Sequence, residues 1–127
     1  MRPIVVTLIL AQILGLGTIR LGVALTGEQL LQTCEGLLRD VRRTQDGRVV
    51  VPKDGITCWN YMDAIQDVST IGDAALRPLI GFCAPEDSTL MQYIRIFVDH
   101  ARRNPAQLHN NGAWIAHVAL SRAFLCR

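Results

Sequence analysis

Apolar residues recur with helical spacing in four segments of the chain. The first segment has apolar residues one turn apart from Leu30 to Val41, which is the spacing of one helix face. Thr26 and Gln29 at its beginning form a capping box, in which each side chain bonds the backbone N–H of the other residue. The pattern predicts a first helix over about 27–43.

A second apolar stripe runs through the segment CWNYMDAIQDVSTIGDAA, and Thr57 directly before it is a favourable N-cap residue. Gly72 and Pro78 indicate the region where this helix ends. Asp63 and Asp67 lie one turn apart on the opposite side, which is typical of a solvated face. The predicted buried positions are Cys58, Tyr61, Met62, Ile65, Val68 and Ile71.

The segment between these two helices, TQDGRVVVPKDG, has two Asp-Gly turn signals on either side of three valines. We predict a short extended excursion and not a sheet, because one hairpin alone is marginally stable in water.

A third helix is predicted to begin after Thr89, which forms a second capping box with Gln92. Glu86 and Asp87 place negative charge near the positive end of the helix dipole. The Asn-Pro pair at 104–105 ends the helix, because the residue before a proline avoids helical geometry. Its predicted inner face is Leu90, Ile94, Phe97, Val98 and Ala101.

The last segment, AWIAHVALSRAF, is apolar around most of its circumference, with His117 among its few polar residues. A helix that is apolar all round belongs in the centre of a domain, so we predict that this helix is the core element. Trp114 and Tyr61 are expected to pack in the core. Strand signals recur nowhere else, and the predicted fold class is therefore all-α, a bundle of about four helices.

The N-terminus has the pattern of a secretory signal peptide. Arg2 precedes an uncharged apolar run over 4–19, and small residues at Gly22 and Ala24 suit cleavage after Ala24, although Arg20 is an imperfection. An uncleaved anchor is the alternative, but sixteen uncharged residues are fewer than the roughly 20 that a spanning helix needs. We expect a signal peptide over 1–24, a single domain over 25–127, export to the periplasm, and no membrane anchor after cleavage.

The mature chain contains all four cysteines, Cys34, Cys58, Cys83 and Cys126. An even number in a small exported domain predicts two disulfides. No two cysteines have the C-x-x-C spacing, which argues against zinc and against a thioredoxin-like redox motif. The chain carries 13 Lys and Arg against 11 Asp and Glu, and the two counts become equal without Arg2 and Arg20. A neutral domain gives no electrostatic reason to expect nucleic acid as a partner.

Candidate catalytic chemistry is weak. A thiol enzyme needs a free cysteine beside His100, His109 or His117, and paired cysteines supply none. The histidines lack metal-ligand spacing, and His100 near a helix end is interpreted as a dipole partner. We therefore expect no enzyme activity, no metal and no cofactor. Small exported helical domains of this kind usually act by binding.

Five motifs in order carry a family resemblance: GEQLLQTCEG, CWNYMDAIQDV, FCAPEDSTLMQ, RRNPAQLH and ALSRAFLC. Their order and spacing over 26–126 resemble the Rap/Tai family of immunity proteins from type VI secretion systems. The resemblance implies an all-helical, disulfide-bonded periplasmic protein. It also implies a homodimer whose partner is a toxic peptidoglycan amidase or endopeptidase, with its active site blocked sterically.

The resemblance also implies that the four cysteines form the family's cystine framework. Three pairings are possible from sequence; we expect Cys58–Cys83 and Cys34–Cys126. The loops over 44–55 and 84–88 have no packing role, and their acidic residues are the expected toxin contacts, together with one aromatic residue: Asp46, Asp54, Glu86, Asp87 and Trp59. The alternative function is a general periplasmic stress or chaperone-like protein with no dedicated toxin.

Overall fold

The structure is a computed structural model that describes residues 24–127. It contains four α-helices and a two-stranded antiparallel pair, which confirms the predicted all-α class and the number of helices. Residues 1–23 of the predicted signal peptide lie outside the described residues. The helices are α1 (Gly27–Asp40), α2 (Ile56–Ser69), α3 (Leu90–Arg103) and α4 (Gly112–Ala123), with strands β1 (Arg42–Arg43) and β2 (Val49–Val50) and short 3-10 helices at Lys53–Gly55 and Pro105–Gln107.

Both predicted capping boxes are confirmed. At the start of α1, Gln29 N donates to Thr26 Oγ1 over 3.2 Å, and Thr26 N donates to Gln29 Oε1 over 3.0 Å. The same pair of bonds joins Thr89 and Gln92 at the start of α3, over 3.3 and 2.7 Å. Each box satisfies two backbone N–H groups that have no partner within the helix. The predicted end of α3 before Pro105 is also correct.

The start of α2 differs from the prediction. The helix begins at Ile56, directly after the 3-10 turn, and Thr57 lies inside it and is not its cap. Gly55 is the N-cap residue and packs against α1, where a Cβ on Gly55 would lie 2.6 Å from Leu37 Cβ. The close contact with α1 therefore determines where α2 begins, and a cap signal in the sequence does not.

The predicted first helix is too long by three residues. It ends at Asp40, and Arg42 and Arg43 pair with Val50 and Val49 as a small antiparallel hairpin, so the prediction of an extended excursion without a sheet was wrong. A tight turn closes this hairpin. The Gly47 backbone adopts a φ of 83°, Thr44 N donates to Arg48 O, and the Asp46 carboxylate accepts from Arg48 Nε over 2.6 Å. The bond from Thr44 N to Arg48 O satisfies backbone groups that lie outside the helix, and the Asp46–Arg48 bond joins the two side chains across the turn.

The core is centred on α3, which corrects the prediction that the last helix is central. Helix α3 has the largest number of buried residues of the four helices, and they lie along the side that faces the core: Tyr93, Ile94, Phe97, Val98, His100 and Ala101. Helix α4 packs chiefly on α1 and α3, and it buries only one face through Ile115, Ala116, Ala119 and Leu120. Its other face is open, and Trp114, expected in the core, is 48% exposed. The small alanines make α4 apolar in sequence without requiring cover on every side.

The two predicted disulfides are present, but the predicted pairing is wrong. Cys34 bonds Cys58, and Cys83 bonds Cys126. Helices α1 and α2 pack side by side, and this places Cys34 opposite Cys58 within the core. Cys83 N donates to Phe124 O over 2.9 Å, which places the end of the chain beside the segment that precedes α3.

Candidate partner-binding surface

A short loop projects between α2 and α3, and we name residues 71–79 the apex loop. Its two ends meet at a bridge between Gly72 and Pro78, and Leu79 N donates to Ile71 O over 3.0 Å. Asp73 N donates to Arg77 O over 2.9 Å within this frame. These backbone bonds join the two ends of the apex loop, so the loop is closed by contacts within itself.

The Asp73 carboxylate holds the turn of the apex loop together. It accepts hydrogen bonds from the backbone N of Ala75 over 2.8 Å, from the backbone N of Arg77 over 3.0 Å, and from Arg77 Nε over 2.8 Å. The Arg77 hydrogen bonds hold the pKa of the Asp73 carboxyl below its ordinary value. The carboxylate therefore stays charged, and its bonds stay intact, through the neutral range.

Leu76 stands at the tip of the apex loop and is 90% exposed. Its backbone adopts a φ of 58°, in the left-handed region that leucine rarely occupies. Such a conformation costs on the order of 1 kcal/mol for a residue with a Cβ, and residues held this way cluster at binding sites. The apex loop thus presents an apolar side chain to solvent at its tip.

An apolar groove adjoins the base of the apex loop, and we name it the α2–α4 groove. It has a volume of about 380 Å³ and runs between α2 and α4, where these helices are not in close contact. Burial raises the pKa of the Tyr61 hydroxyl, which therefore stays uncharged at the groove wall. The groove is lined by Tyr61, Ala64, Ile65, Val68, Ile80, Phe82, Ala113 and His117.

The apex loop and the α2–α4 groove form one apolar surface. Val68, at the end of α2, lines the groove, and Ile71 N donates to Val68 O over 3.1 Å where the apex loop begins. Ile80 lines the groove where the apex loop ends. Val68 and Ile71 were predicted to be buried, but both are exposed. Continuous exposed apolar surface of this kind is typical of a protein interaction site.

An aromatic cluster anchors the C-terminal end of the apex loop. The ring of Phe82 lies 6.0 Å from Tyr93 and 6.4 Å from Phe124, and Tyr93 lies 5.5 Å from Phe124. The Cys83–Cys126 disulfide closes over this cluster, because its two cysteines follow Phe82 and Phe124 within two residues. The Tyr93 and Ser69 hydroxyls lie 3.3 Å apart and connect α3 to the last turn of α2. Both ends of the apex loop are therefore fixed to the core.

The residues predicted to contact a toxin do not converge on one site. Asp46 lies in the hairpin turn, Asp54 lies in the 3-10 turn against α1, and both are exposed. Glu86 and Asp87 are exposed before α3, and Trp59 is half-buried against the core. Of these residues, Glu86 lies near the apex loop.

Glu86 and Leu76 line the same cleft, which has a volume of about 400 Å³ on the side of the apex loop away from α4. Sequence reasoning missed the apex loop, because the segment GDAALRPLI was interpreted only as the end of a helix. The available signal was Asp73 four residues before Arg77, with apolar residues between two turn formers.

Within residues 24–127, the cysteine sulfurs are bonded to one another, and the possible metal-ligand side chains lie too far apart to act together. All four cysteines are in disulfides, and no three His, Cys, Asp or Glu side chains of these residues lie close enough to hold a metal ion. Over the same range, no helix is long and apolar enough to cross a membrane.

Comparison with known proteins identifies the family. The model of a family described as Rap1a immunity proteins matches residues 26–126, from the Thr26 cap to the last disulfide cysteine. No curated protein and no solved structure matches the chain. The match covers nearly all of the described domain and includes α1 to α4, the apex loop and both disulfides. The chain therefore belongs to the Rap1a immunity proteins, and this membership supports a role as an immunity protein for a secreted toxin.

Proposed function

We propose that this protein is a periplasmic immunity protein that blocks a peptidoglycan amidase or endopeptidase delivered by a type VI secretion system. The apex loop enters the active-site cleft of the toxin and excludes its substrate. The observation that carries this proposal is Leu76, an exposed apolar side chain held at the tip of a loop that is closed on itself. The type of toxin and its delivery follow from the family resemblance of the sequence.

A rigid projecting loop suits steric inhibition, because binding then requires little ordering of the inhibitor. The Asp73 hydrogen bonds, the Gly72–Pro78 bridge and the aromatic anchor limit the conformations of the apex loop before binding. Leu76 would fill an apolar subsite in the cleft, and Glu86 would contact the rim of the cleft. Of the acidic residues predicted as contacts, Glu86 is the one that lies next to Leu76.

The proposed periplasmic location agrees with the disulfides, which persist in oxidising compartments. It also agrees with the signal-peptide pattern of the sequence over 1–24, whose cleavage is part of the proposal. Sequencing the N-terminus of the protein recovered from the periplasm tests this part. We expect Leu25 as the first residue, and an intact N-terminus in the cytoplasmic fraction would contradict it.

The proposed homodimer forms through the α2–α4 groove. Its lining is almost wholly apolar, which is the composition of a permanent interface, and none of its lining residues belongs to the apex loop. Val68→Asp would place a charge in the groove and convert the dimer to monomer in analytical ultracentrifugation. A monomeric parent protein at micromolar concentration would contradict the dimer and leave the role of the apex loop intact.

The central experiment is an inhibition assay with the hydrolase encoded beside this protein. We expect Leu76→Asp to weaken inhibition about thirtyfold, because truncating an interface hot spot costs roughly 2 kcal/mol or more. Val50→Asp is the matched control, since Val50 is also an exposed aliphatic residue but lies in the hairpin. Equal inhibition by both variants, with unchanged circular dichroism, would contradict the proposed role of the apex loop.

The general chaperone remains the second candidate because the α2–α4 groove is open and apolar. It predicts suppression of aggregation for several unrelated unfolded proteins, and Val68→Asp would abolish this suppression. The immunity function predicts one tight partner. A protein that suppresses aggregation broadly and does not inhibit the neighbouring hydrolase would favour the chaperone.

A further inference from the structure

A separate cavity lies between the C-terminal halves of α3 and α4, away from the apex loop and the α2–α4 groove. It has a volume of about 400 Å³. Three aliphatic side chains, Ile96, Ala119 and Ala123, form its apolar part. The polar part contains His100, Arg103 and Arg122, with Asp99 beside them. The cavity therefore combines an apolar wall with cationic groups, and the proposed immunity function uses none of these residues.

The charges around this cavity do not balance. Arg103 pairs with the Asp99 carboxylate one turn before it on α3. Arg122 on α4 pairs with none of the carboxylates in the part of the chain that the structure describes. The Asn104 side chain, which also lines the cavity, donates to the carbonyl of His100 over 2.7 Å. The cavity is thus left with one uncompensated positive charge.

His100 adds an unsatisfied polar group to the same place. Its side chain lines the cavity and is only 6% exposed. Its Nε2 atom is buried and has no hydrogen-bond partner among residues 24–127. A buried polar atom without a hydrogen-bond partner is uncommon. It destabilises the folded state, because the atom has lost its hydrogen bonds to water and gained none in the protein. The cavity wall therefore contains a buried, unpaired imidazole close to the uncompensated charge of Arg122, which a bound anion would balance.

We propose that this cavity binds a carboxylate carried on an apolar body. Arg122 and Arg103 hold the carboxylate, the buried His100 imidazole lies beside it in the cavity wall, and the apolar body lies on Ile96 and Ala119. The C-terminal residue of a peptide and a fatty acid share this chemistry. This site shares no lining residue with the apex loop or the α2–α4 groove. An experiment can therefore contradict the carboxylate site without contradicting the proposed immunity function, and the reverse.

Protonation of His100 would accompany binding. Burial lowers the pKa of His100, and the charges of Arg122 and Arg103 lower it further, while Asp99 acts in the opposite direction. These are the charged groups that face His100 from its own helix α3 and from α4 packed against it. A bound carboxylate opposes the two arginines and raises the pKa of His100. Affinity therefore increases as the pH falls from 8 to 6.

The test is a titration of the isotope-labelled protein by nuclear magnetic resonance with hexanoate and with N-acetylleucine. The first probe represents a fatty acid, and the second represents a peptide C-terminus. We expect saturable shifts confined to amides over 96–104 and 119–123, and a raised pKa of the His100 imidazole. The probe that binds more tightly identifies the source of the carboxylate.

Arg122→Gln is the decisive variant, because Arg122 is exposed and its loss leaves the fold intact. It should weaken hexanoate binding about tenfold, since it removes one charge-assisted hydrogen bond. Arg95→Gln is the matched control, because Arg95 is exposed on α3 and does not line the cavity. We expect this variant to bind hexanoate with unchanged affinity.

Three results would overturn the proposal. They are the absence of saturable shifts with both carboxylates, equal weakening by Arg122→Gln and Arg95→Gln, and binding of hexanol as tightly as hexanoate. Inorganic phosphate binding as tightly as hexanoate would overturn the role of Ile96 and Ala119. None of these results depends on the toxin or on the apex loop.

Discussion

The two disulfides have the same chemistry but lie in very different surroundings. Cys34–Cys58 joins α1 to α2 inside the core, and both residues are 0% exposed. Cys83–Cys126 joins the segment after the apex loop to the chain end, where Cys126 is exposed. The chain-entropy model predicts that the two crosslinks contribute similar amounts to the free energy of unfolding, about 3.5 kcal/mol for Cys34–Cys58 and about 4 kcal/mol for Cys83–Cys126. The difference between them therefore lies in packing: one is part of the core, and the other fastens the base of the apex loop.

Removing the core disulfide should give the largest effect. The double variant Cys34→Ala, Cys58→Ala loses the crosslink and also buried sulfur contacts, so we expect the free energy of unfolding to fall by about 4 kcal/mol or more. Equilibrium unfolding in urea measures this loss. A fall smaller than that from the surface disulfide would contradict the comparison.

Removing the surface disulfide should destabilise less and disturb function more. For Cys83→Ser, Cys126→Ser we expect a loss of about 2 kcal/mol. Phe124 can stay packed on Phe82, while the last residues fray and gain freedom in the folded protein as well, which offsets part of the chain-entropy contribution. The expected signature is faster amide hydrogen exchange over 71–83 than in the parent protein. Unchanged exchange over this range would show that the aromatic cluster alone fixes the apex loop.

Two buried glycines allow a test of how closely the chain packs around the core disulfide. A Cβ on Gly55 would lie 2.8 Å from Leu37 Cα, so Gly55→Ala should reduce the free energy of unfolding by about 2 kcal/mol through overpacking. Gly36 is the matched control, because it is also buried but its nearest neighbour would lie 3.7 Å from a Cβ. Gly36→Ala should be neutral or stabilise by up to about 1 kcal/mol, since alanine favours the helix. Thermal unfolding of both variants measures the difference.

The smallest expected effect is a dependence of stability on pH through His100. Burial lowers the pKa of His100 in the folded protein, so below its ordinary pKa the unfolded chain binds more protons than the folded protein. The contribution of His100 is therefore complete above that pKa and is lost as the pH falls toward the folded-state pKa. His100→Gln should flatten the stability profile between pH 7 and pH 5, whereas His109→Gln, at an exposed position, should leave it unchanged.

Local signals in the sequence were sufficient for the helices whose ends are capped by side chains. Thr26 and Thr89 each carry a capping box, and both helices begin where the sequence predicts. The prediction was wrong at the start of α2, where contact between Gly55 and Leu37 replaces a cap. It was also wrong at the end of α1, where three predicted helical residues lie outside the helix, two of them in the hairpin.

The candidate site was less accessible to prediction than the fold. Exposed loops with acidic residues were expected to bind, whereas the most exposed of the large hydrophobic side chains in residues 24–127 is Leu76. Hydrophobicity patterns assign such a residue to the interior, because they assume that every apolar position finds a partner within the chain. Val68, Ile71 and Trp114 were misplaced for the same reason.

Residue order alone determined an all-helical domain, the two capped helix starts, the engagement of every cysteine in a disulfide and the family. These features depend on neighbours within a few residues, on composition, or on ordered motifs. Tertiary structure decided which cysteines pair, which face of α4 stays open, and that Leu76 projects. Each of these depends on distances between segments far apart in the chain, and those distances are set only when α1, α2 and α3 pack together.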